Sequence, residues 1–175
     1  MNFEISEEEK RRARVPHNLF VLNILLFNLL LTPAAIVLDV GMYGFLIPLL
    51  CSLAVIAYIY RRSRKQDDWF VEMHWRLSFR RCQFLMIGYV VTALLVAVAW
   101  LISLSANDAK MAEIMFTAIS RVAVVPTLLA VMATVVLEAG GYHLINSGKV
   151  PDWLAVKFTP PEKYEAIRID PETAG

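Results

Sequence analysis

Charge is scarce in this chain, and it is missing in long runs. Asp, Glu, Lys and Arg make up 19% of the 175 residues while apolar residues make up 58%, above the roughly 45–50% of an ordinary soluble domain. The charges that exist lie between the apolar stretches. A water-soluble protein would need them spread over its surface, so the segregation points to a bilayer, whose hydrocarbon core of about 30 Å asks for about 20 mostly apolar residues per helical crossing. Acidic and basic residues nearly cancel, at +1 overall, which excludes a strongly basic nucleic-acid binder. There are only two cysteines, Cys51 and Cys82, with no zinc-like spacing to each other or to a histidine, so they are expected to be reduced thiols. Catalytic motifs are also missing: the sequence contains no glycine-rich phosphate loop, no GxSxG and no HExxH. No internal repeat relates its two halves.

What is present reads as an all-α, polytopic membrane protein of four transmembrane helices arranged as two antiparallel hairpins. The spans run over about 19–38, 42–60, 83–104 and 114–138. Residues 1–16 form a polar N-terminal segment, 17–141 the transmembrane domain with a loop at 61–82, and 142–175 a proline-punctuated tail expected to be extended and ordered only where it rests on something else. Ser6 with Glu9 three residues on reads as a capping box that starts a helix. The first apolar block is long enough to cross, so it is read as a retained span rather than a cleaved leader. Gly140 and Gly141 read as the end of the fourth helix. Pro33, Pro48 and Pro126 each fall within a span and are expected to kink it.

Lysine and arginine placement orients the chain. Four precede the first block (Lys10, Arg11, Arg12 and Arg14), seven lie in the loop (Arg61, Arg62, Arg64, Lys65, Arg76, Arg80 and Arg81) and four lie in the tail, whereas the two other turns carry only Lys110. The positive-inside rule then places both termini and the loop in the cytoplasm, with the inner membrane of a bacterium as the expected location. Tyr58, Tyr60, Trp69, Trp75, Trp100 and Tyr142 fall where aromatic residues line membrane interfaces.

Eight residues stand out as candidates for interaction. Arg121 lies inside the fourth block, where an arginine costs roughly 2.5–3.5 kcal/mol at mid-membrane on insertion scales. It either snorkels to the outer headgroups or pairs with Asp39 or Glu113. Glu138 closes a stripe of Thr127, Ala130, Thr134, Glu138 and Gly141 down one face of that helix. The stripe reads as a packing seam, with an ion path as the alternative. Trp69, Trp75, Arg76, Arg80 and Arg81 make the loop aromatic and basic, suited to headgroups or a partner subunit. Residues 71–79 alternate as a strand would, yet a helix capped by Asp67 fits better, because a lone strand would have nothing to pair with. Asn23 and Asn28 are expected to bond neighbouring helices.

No catalytic, metal or cofactor site is expected. His17, His74 and His143 fall at predicted cytoplasmic interfaces, and none sits mid-span facing another, which makes axial haem ligation improbable. His74 with Asp67, Asp68 and Glu72 is the only cluster that resembles an enzyme site. The functional expectation is a non-catalytic accessory or structural subunit of a larger inner-membrane complex, such as secretion or conjugation machinery or a respiratory-type assembly. Its partners would be membrane lipids, other membrane subunits and a cytoplasmic subunit reached through the tail, with no nucleic acid. The alternative is a small transporter or channel component with a polar path along the fourth helix.

Overall fold

The computed structural model describes residues 1–38, 44 and 46–165. Among these the protein is all-helical, and its one extended pairing is an isolated antiparallel bridge between Asn2 and Lys149. Three helical stretches are long and apolar enough to cross a bilayer: Glu7–Ala35, Trp69–Ser103 and Ala109–Asn146. The predicted second span corresponds to α3, Leu46–Arg62, of 17 residues. The turn containing Asp39 lies outside the described residues.

The chain divides into two compact units, Met1–Arg81 with Val135–Gly175, and Cys82–Thr134. In the first, α1 spans Glu7–Leu22 and begins with the predicted capping box: the Ser6 side chain accepts from the Glu9 amide, and Glu9 reaches back to the Ser6 amide. Ala13, Pro16, His17 and Phe20 are its buried residues, spaced three or four apart as one helix face requires. The helix then widens into a π-helical segment, Asn23–Leu31, followed by α2, Thr32–Val37. Pro33 lacks an amide and in a regular helix would crowd the carbonyl four residues back. Here Thr32 binds the Phe27 carbonyl, five residues back, with both its amide and its hydroxyl, the latter at 2.7 Å. The expected disturbance at Pro33 therefore takes the form of a widened helix.

Helix α3 packs against the π segment and α1 through Pro48, Ser52, Ile56 and Ile59. Pro48 does not interrupt it. The residue sits in the first described turn, where an amide has no helical acceptor to lose.

Helix α4 runs without a break from Trp69 to Ser103, so residues 71–79 are helical and not a strand. Helix α5 covers Ala109–Ala123 and α6 covers Val125–Asn146. Gly140 and Gly141 lie inside α6, contrary to the expected helix end. The stop comes at Gly148, whose φ of +62° only glycine adopts cheaply. The described part of the tail is helical rather than extended where it rests on the first unit. It forms α7, Asp152–Lys157, and α8, Glu162–Glu165, and supplies Val150, Leu154, Ala155 and Tyr164 to a core shared with Phe3, Ile5, Ala13, Trp69, Phe70, Met73, Leu77 and Ile145. Each large apolar side chain buried there stabilises by about 1.5–3 kcal/mol. The N-terminal segment is laced to the end of α6 by Phe3 N–H to Gly148 O at 2.9 Å and Val150 N–H to Met1 O at 3.2 Å.

The second unit holds the apolar part of α4, all of α5 and the start of α6. Gly88 on α4 and Ala130 on α6 sit so close that a Cβ on Gly88 would lie 2.6 Å from the Ala130 methyl. One turn along, Thr92 and Thr127 share a hydrogen bond of 2.8 Å. Asp108 caps α5 by accepting from the Met111 amide at 2.8 Å. Helicity lapses at Val124, two residues before Pro126, the break that proline was expected to cause.

Candidate functional site

The first unit encloses a network of ionisable side chains drawn from three helices. His17 comes from α1, His74 and Arg81 from α4, and Glu138 from α6, and their exposures are 0%, 1%, 7% and 1%. His74, Ser78 and Arg81 follow one another at spacings of four and three, so α4 presents them on a single face. Glu138 accepts from Arg81 Nη1 through Oε2 at 2.6 Å, and its Oε1 lies 2.6 Å from His17 Nδ1. His17 Nε2 lies 3.1 Å from His74 Nδ1. Ser78 donates its hydroxyl to the Pro16 carbonyl at 3.2 Å, holding α4 against α1 just before His17.

The distances constrain the protons. A ring nitrogen 2.6 Å from a carboxylate oxygen carries the hydrogen, so His17 Nδ1 donates to Glu138. Nδ1 then cannot accept from Arg81, whose Nη1 stands 3.3 Å away, and the guanidinium is held by the carboxylate. His17 Nε2 either accepts from His74 or, in the imidazolium, donates to it. The result is a line, Glu138 to His17 to His74, with Arg81 as the counter-charge.

Such a line does not converge on a ligand position. Both His17 nitrogens are spoken for, and among the described residues no three His, Cys, Asp or Glu side chains are placed to hold a metal ion. The chemistry of the network is the burial of a matched charge, with a breakable carboxylate–imidazole bond tying α1 to α6. Gly141 provides the space, since a Cβ there would come within 2.7 Å of His17 Nδ1 and closer still to Arg81.

The candidates named from sequence are distributed unevenly around this network. Glu138 and Arg81 are in it and bonded to each other. Trp69 and Trp75 do not line an interface; both are buried. Trp69 donates to the Phe158 carbonyl at 2.9 Å and meets Phe3 edge-on, while Trp75 packs beside Tyr58 and under Arg62. Arg76 pairs with Glu72 at 2.9 Å and lies over the Phe158 ring. Arg80 lies over Trp153. Arg121 is exposed on α5 and forms no ion pair among the described residues. Of its two proposed partners, Glu113 is exposed on the same helix and makes no pair with it, and Asp39 lies outside the described residues.

His17 and His74, both expected at the cytoplasmic interface, face each other. One expected cluster is corrected. The grouping of His74 with Asp67, Asp68 and Glu72 does not form: Asp67 pairs with Arg12 and Arg62, Asp68 with Arg12, and Glu72 with Arg76. Asn28 bonds the Asn23 carbonyl of its own segment at 3.3 Å, and the fully buried Asn23 amide has no partner among the described residues. Cys51 and Cys82 are both free, and Cys82 is buried.

The stripe on α6 separates into two parts. Thr127 and Ala130 form a close seam with α4, and the Thr134 hydroxyl turns back to the Val131 carbonyl at 2.8 Å; Glu138 and Gly141 belong to the ionised network. No protein family, curated protein or solved structure matches the chain. The reading of its function therefore rests on the residues themselves.

Proposed function

We propose that the protein is a non-catalytic subunit of a larger assembly in a bacterial inner membrane, and that it binds its neighbours through helix faces left open within the bilayer. One observation carries the reading: Arg121 is exposed, without a carboxylate partner among the described residues, on a helical stretch otherwise apolar enough to cross a membrane. Lys110, Glu113 and Thr117 are exposed on α5 at spacings that continue to Arg121, so the helix carries a polar stripe and not a lone charge. The Gly88–Ala130 and Thr92–Thr127 contacts set α6 against the apolar part of α4, and Arg121 lies in the last turn of α5, just ahead of that seam. A guanidinium held there against lipid costs a few kcal/mol, and an acidic residue of a neighbouring subunit removes that cost.

The share of apolar surface agrees with this. Only 17%, 17% and 22% of the most apolar portions of the three stretches are buried within the protein, which leaves wide faces for lipid and partner helices. The finer topology is part of the proposal. We take α3 as a fourth span, since 17 residues rise about 26 Å and spans begin near that length. Both termini and the loop lie in the cytoplasm by their arginine and lysine content.

The test compares native protein with Arg121→Leu after gentle detergent extraction through a C-terminal tag. Stoichiometric partners held by the native chain and lost from the variant support the reading. A lone monomer in both cases sinks it. A second reading, transport along Glu138 and His17, draws on the buried imidazole–carboxylate line, because ionisable residues at membrane depth often mark ion paths. It requires that Glu138→Gln abolish proton flux into proteoliposomes, which the subunit reading does not.

A further inference from the structure

The exposed face of α7 departs from the behaviour of a water-facing helix. Asp152–Lys157 buries Leu154 and Ala155 in the core of the first unit and turns Trp153 and Val156 outward, at 43% and 73% exposure. Lys157, four residues after Trp153, shares that face. Arg80 on α4 stacks over the Trp153 ring, 4.2 Å from its centroid. Arg80 also stands where α4 changes character: charged residues precede it, and from Cys82 to Ser103 there is no Asp, Glu, Lys or Arg. A helix that enters a bilayer at Cys82 holds Arg80 and Trp153 at headgroup level.

The carboxylates nearby are already matched. Asp152 holds the Met1 ammonium at 2.6 Å, and Glu72 is bound by Arg76. Arg80 and Lys157 have no ion pair among the described residues. Two unmatched cations flanking an exposed tryptophan and valine complement one kind of surface, an anionic headgroup above acyl chains.

We propose that Arg80, Trp153, Val156 and Lys157 form a docking surface for anionic phospholipid, so that α7 dips into the headgroup layer and clamps the tail to the membrane beside α4. The tryptophan and valine enter the boundary with the acyl chains. The guanidinium and ammonium bind the lipid phosphates, and the stack on Trp153 keeps the guanidinium from swinging into water. This rests on membrane insertion of α4, and its test separates the two.

The full chain is reconstituted into nanodiscs of phosphatidylcholine with and without phosphatidylglycerol, using lipids brominated either near the headgroup or deep in the chain. Trp100 lies within the apolar part of α4 and reports insertion, while Trp153 reports the docking surface. The expected result is bromine quenching of Trp100, near the far interface, that is lost in Trp100→Phe, and shallow quenching that is lost in Trp153→Phe. Native mass spectrometry then compares retention of phosphatidylglycerol with that of phosphatidylcholine. In Arg80→Gln/Lys157→Gln the preference is expected to fall about tenfold or more. Both side chains are exposed, so the variant keeps its core.

Quenching of Trp100 with none of Trp153 overturns the proposal while sparing the membrane reading. Absence of both sinks the membrane reading first. An unchanged lipid preference in the double variant overturns the proposal, as does a Trp153 shielded equally from lipid bromines and aqueous acrylamide, the sign that protein covers the face.

Discussion

His17 and Glu138 are 121 residues apart in sequence and meet with ring nitrogen and carboxylate oxygen 2.6 Å apart, and the contact exists because residue 141 has no side chain. Glycine is placed here for space, since a Cβ at 141 would intrude on both His17 and Arg81. Gly140, its neighbour in the same helix, has nothing within 4 Å of where its Cβ would be. The pair makes a controlled experiment. Gly141→Ala is expected to destabilise the protein by about 1–3 kcal/mol through overpacking, and Gly140→Ala to stabilise it by roughly 0.5–1 kcal/mol through helix propensity. Thermal unfolding in detergent, followed by circular dichroism, reads both. Equal shifts of the same sign would show that the network is looser than described.

Glu138 is the hub, so its loss strands a cation. Glu138→Ala leaves Arg81 buried at 7% exposure with no carboxylate, and breaking a buried pair in this way costs about 3–5 kcal/mol. Adding Arg81→Met should recover much of the loss, since no charge then remains to be solvated. Denaturant unfolding of the two single variants and the double gives the coupling energy directly. Additive losses would mean that the two side chains do not act as a pair.

The sequence made the helices and the apolar stretches legible because both leave periodic or compositional marks. The Ser6–Glu9 cap, the break at Pro126 and the helical 71–79 segment followed from local chemistry and were found. The network was not. Glu138 and Arg81 were each noticed, but His17 was read as an interface residue, because pairing across 121 residues has no local signature. The one available sign is the spacing of His74, Ser78 and Arg81, which puts three polar side chains on one helix face. The helices of the tail escape the sequence for a related reason. The tail's prolines argue for an extended chain, but Leu154 and Tyr164 share a core with Phe3 and Trp69 that only the fold brings near. The same burial removed Trp69 and Trp75 from the expected interface.

Asp67 joins the loop to the N-terminal helix, and it sets an acid limit. Burial alone would raise its pKa. The hydrogen bonds from Arg62 and from the Asp68 amide, with the charges of Arg12 and Arg62, outweigh that and hold the carboxyl below its ordinary value of 3.8. A folded-state value below the unfolded one means the stabilisation is complete above about pH 4 and is lost as pH falls through the lowered value. Arg12 is partly open to solvent, so a contribution of about 1 kcal/mol is expected. Asp67→Asn should therefore be less stable at neutral pH and should lose less on acidification than the native chain. Unfolding midpoints from pH 7 down to pH 2 test it, and parallel curves would exclude Asp67 as a source of acid sensitivity.

Close approach of α4 to α6 depends on Gly88. A Cβ there would lie 2.6 Å from the Ala130 methyl and 3.3 Å from the Thr127 Cα, so a larger residue must push the helices apart and break the Thr92–Thr127 bond nearby. Gly88→Val is expected to cost about 1–3 kcal/mol. Small residues matter most at membrane helix contacts, where packing rather than a hydrophobic drive holds helices together. Ala130→Gly alone should cost up to about 1 kcal/mol through helix propensity. Combined with Gly88→Val it should be far less harmful, because it clears the space the valine needs. The coupling between the two sites, measured by unfolding in detergent, is expected to be favourable and above about 0.5 kcal/mol. A coupling near zero would mean that the two residues do not touch, and the seam would have to be placed elsewhere on the helix.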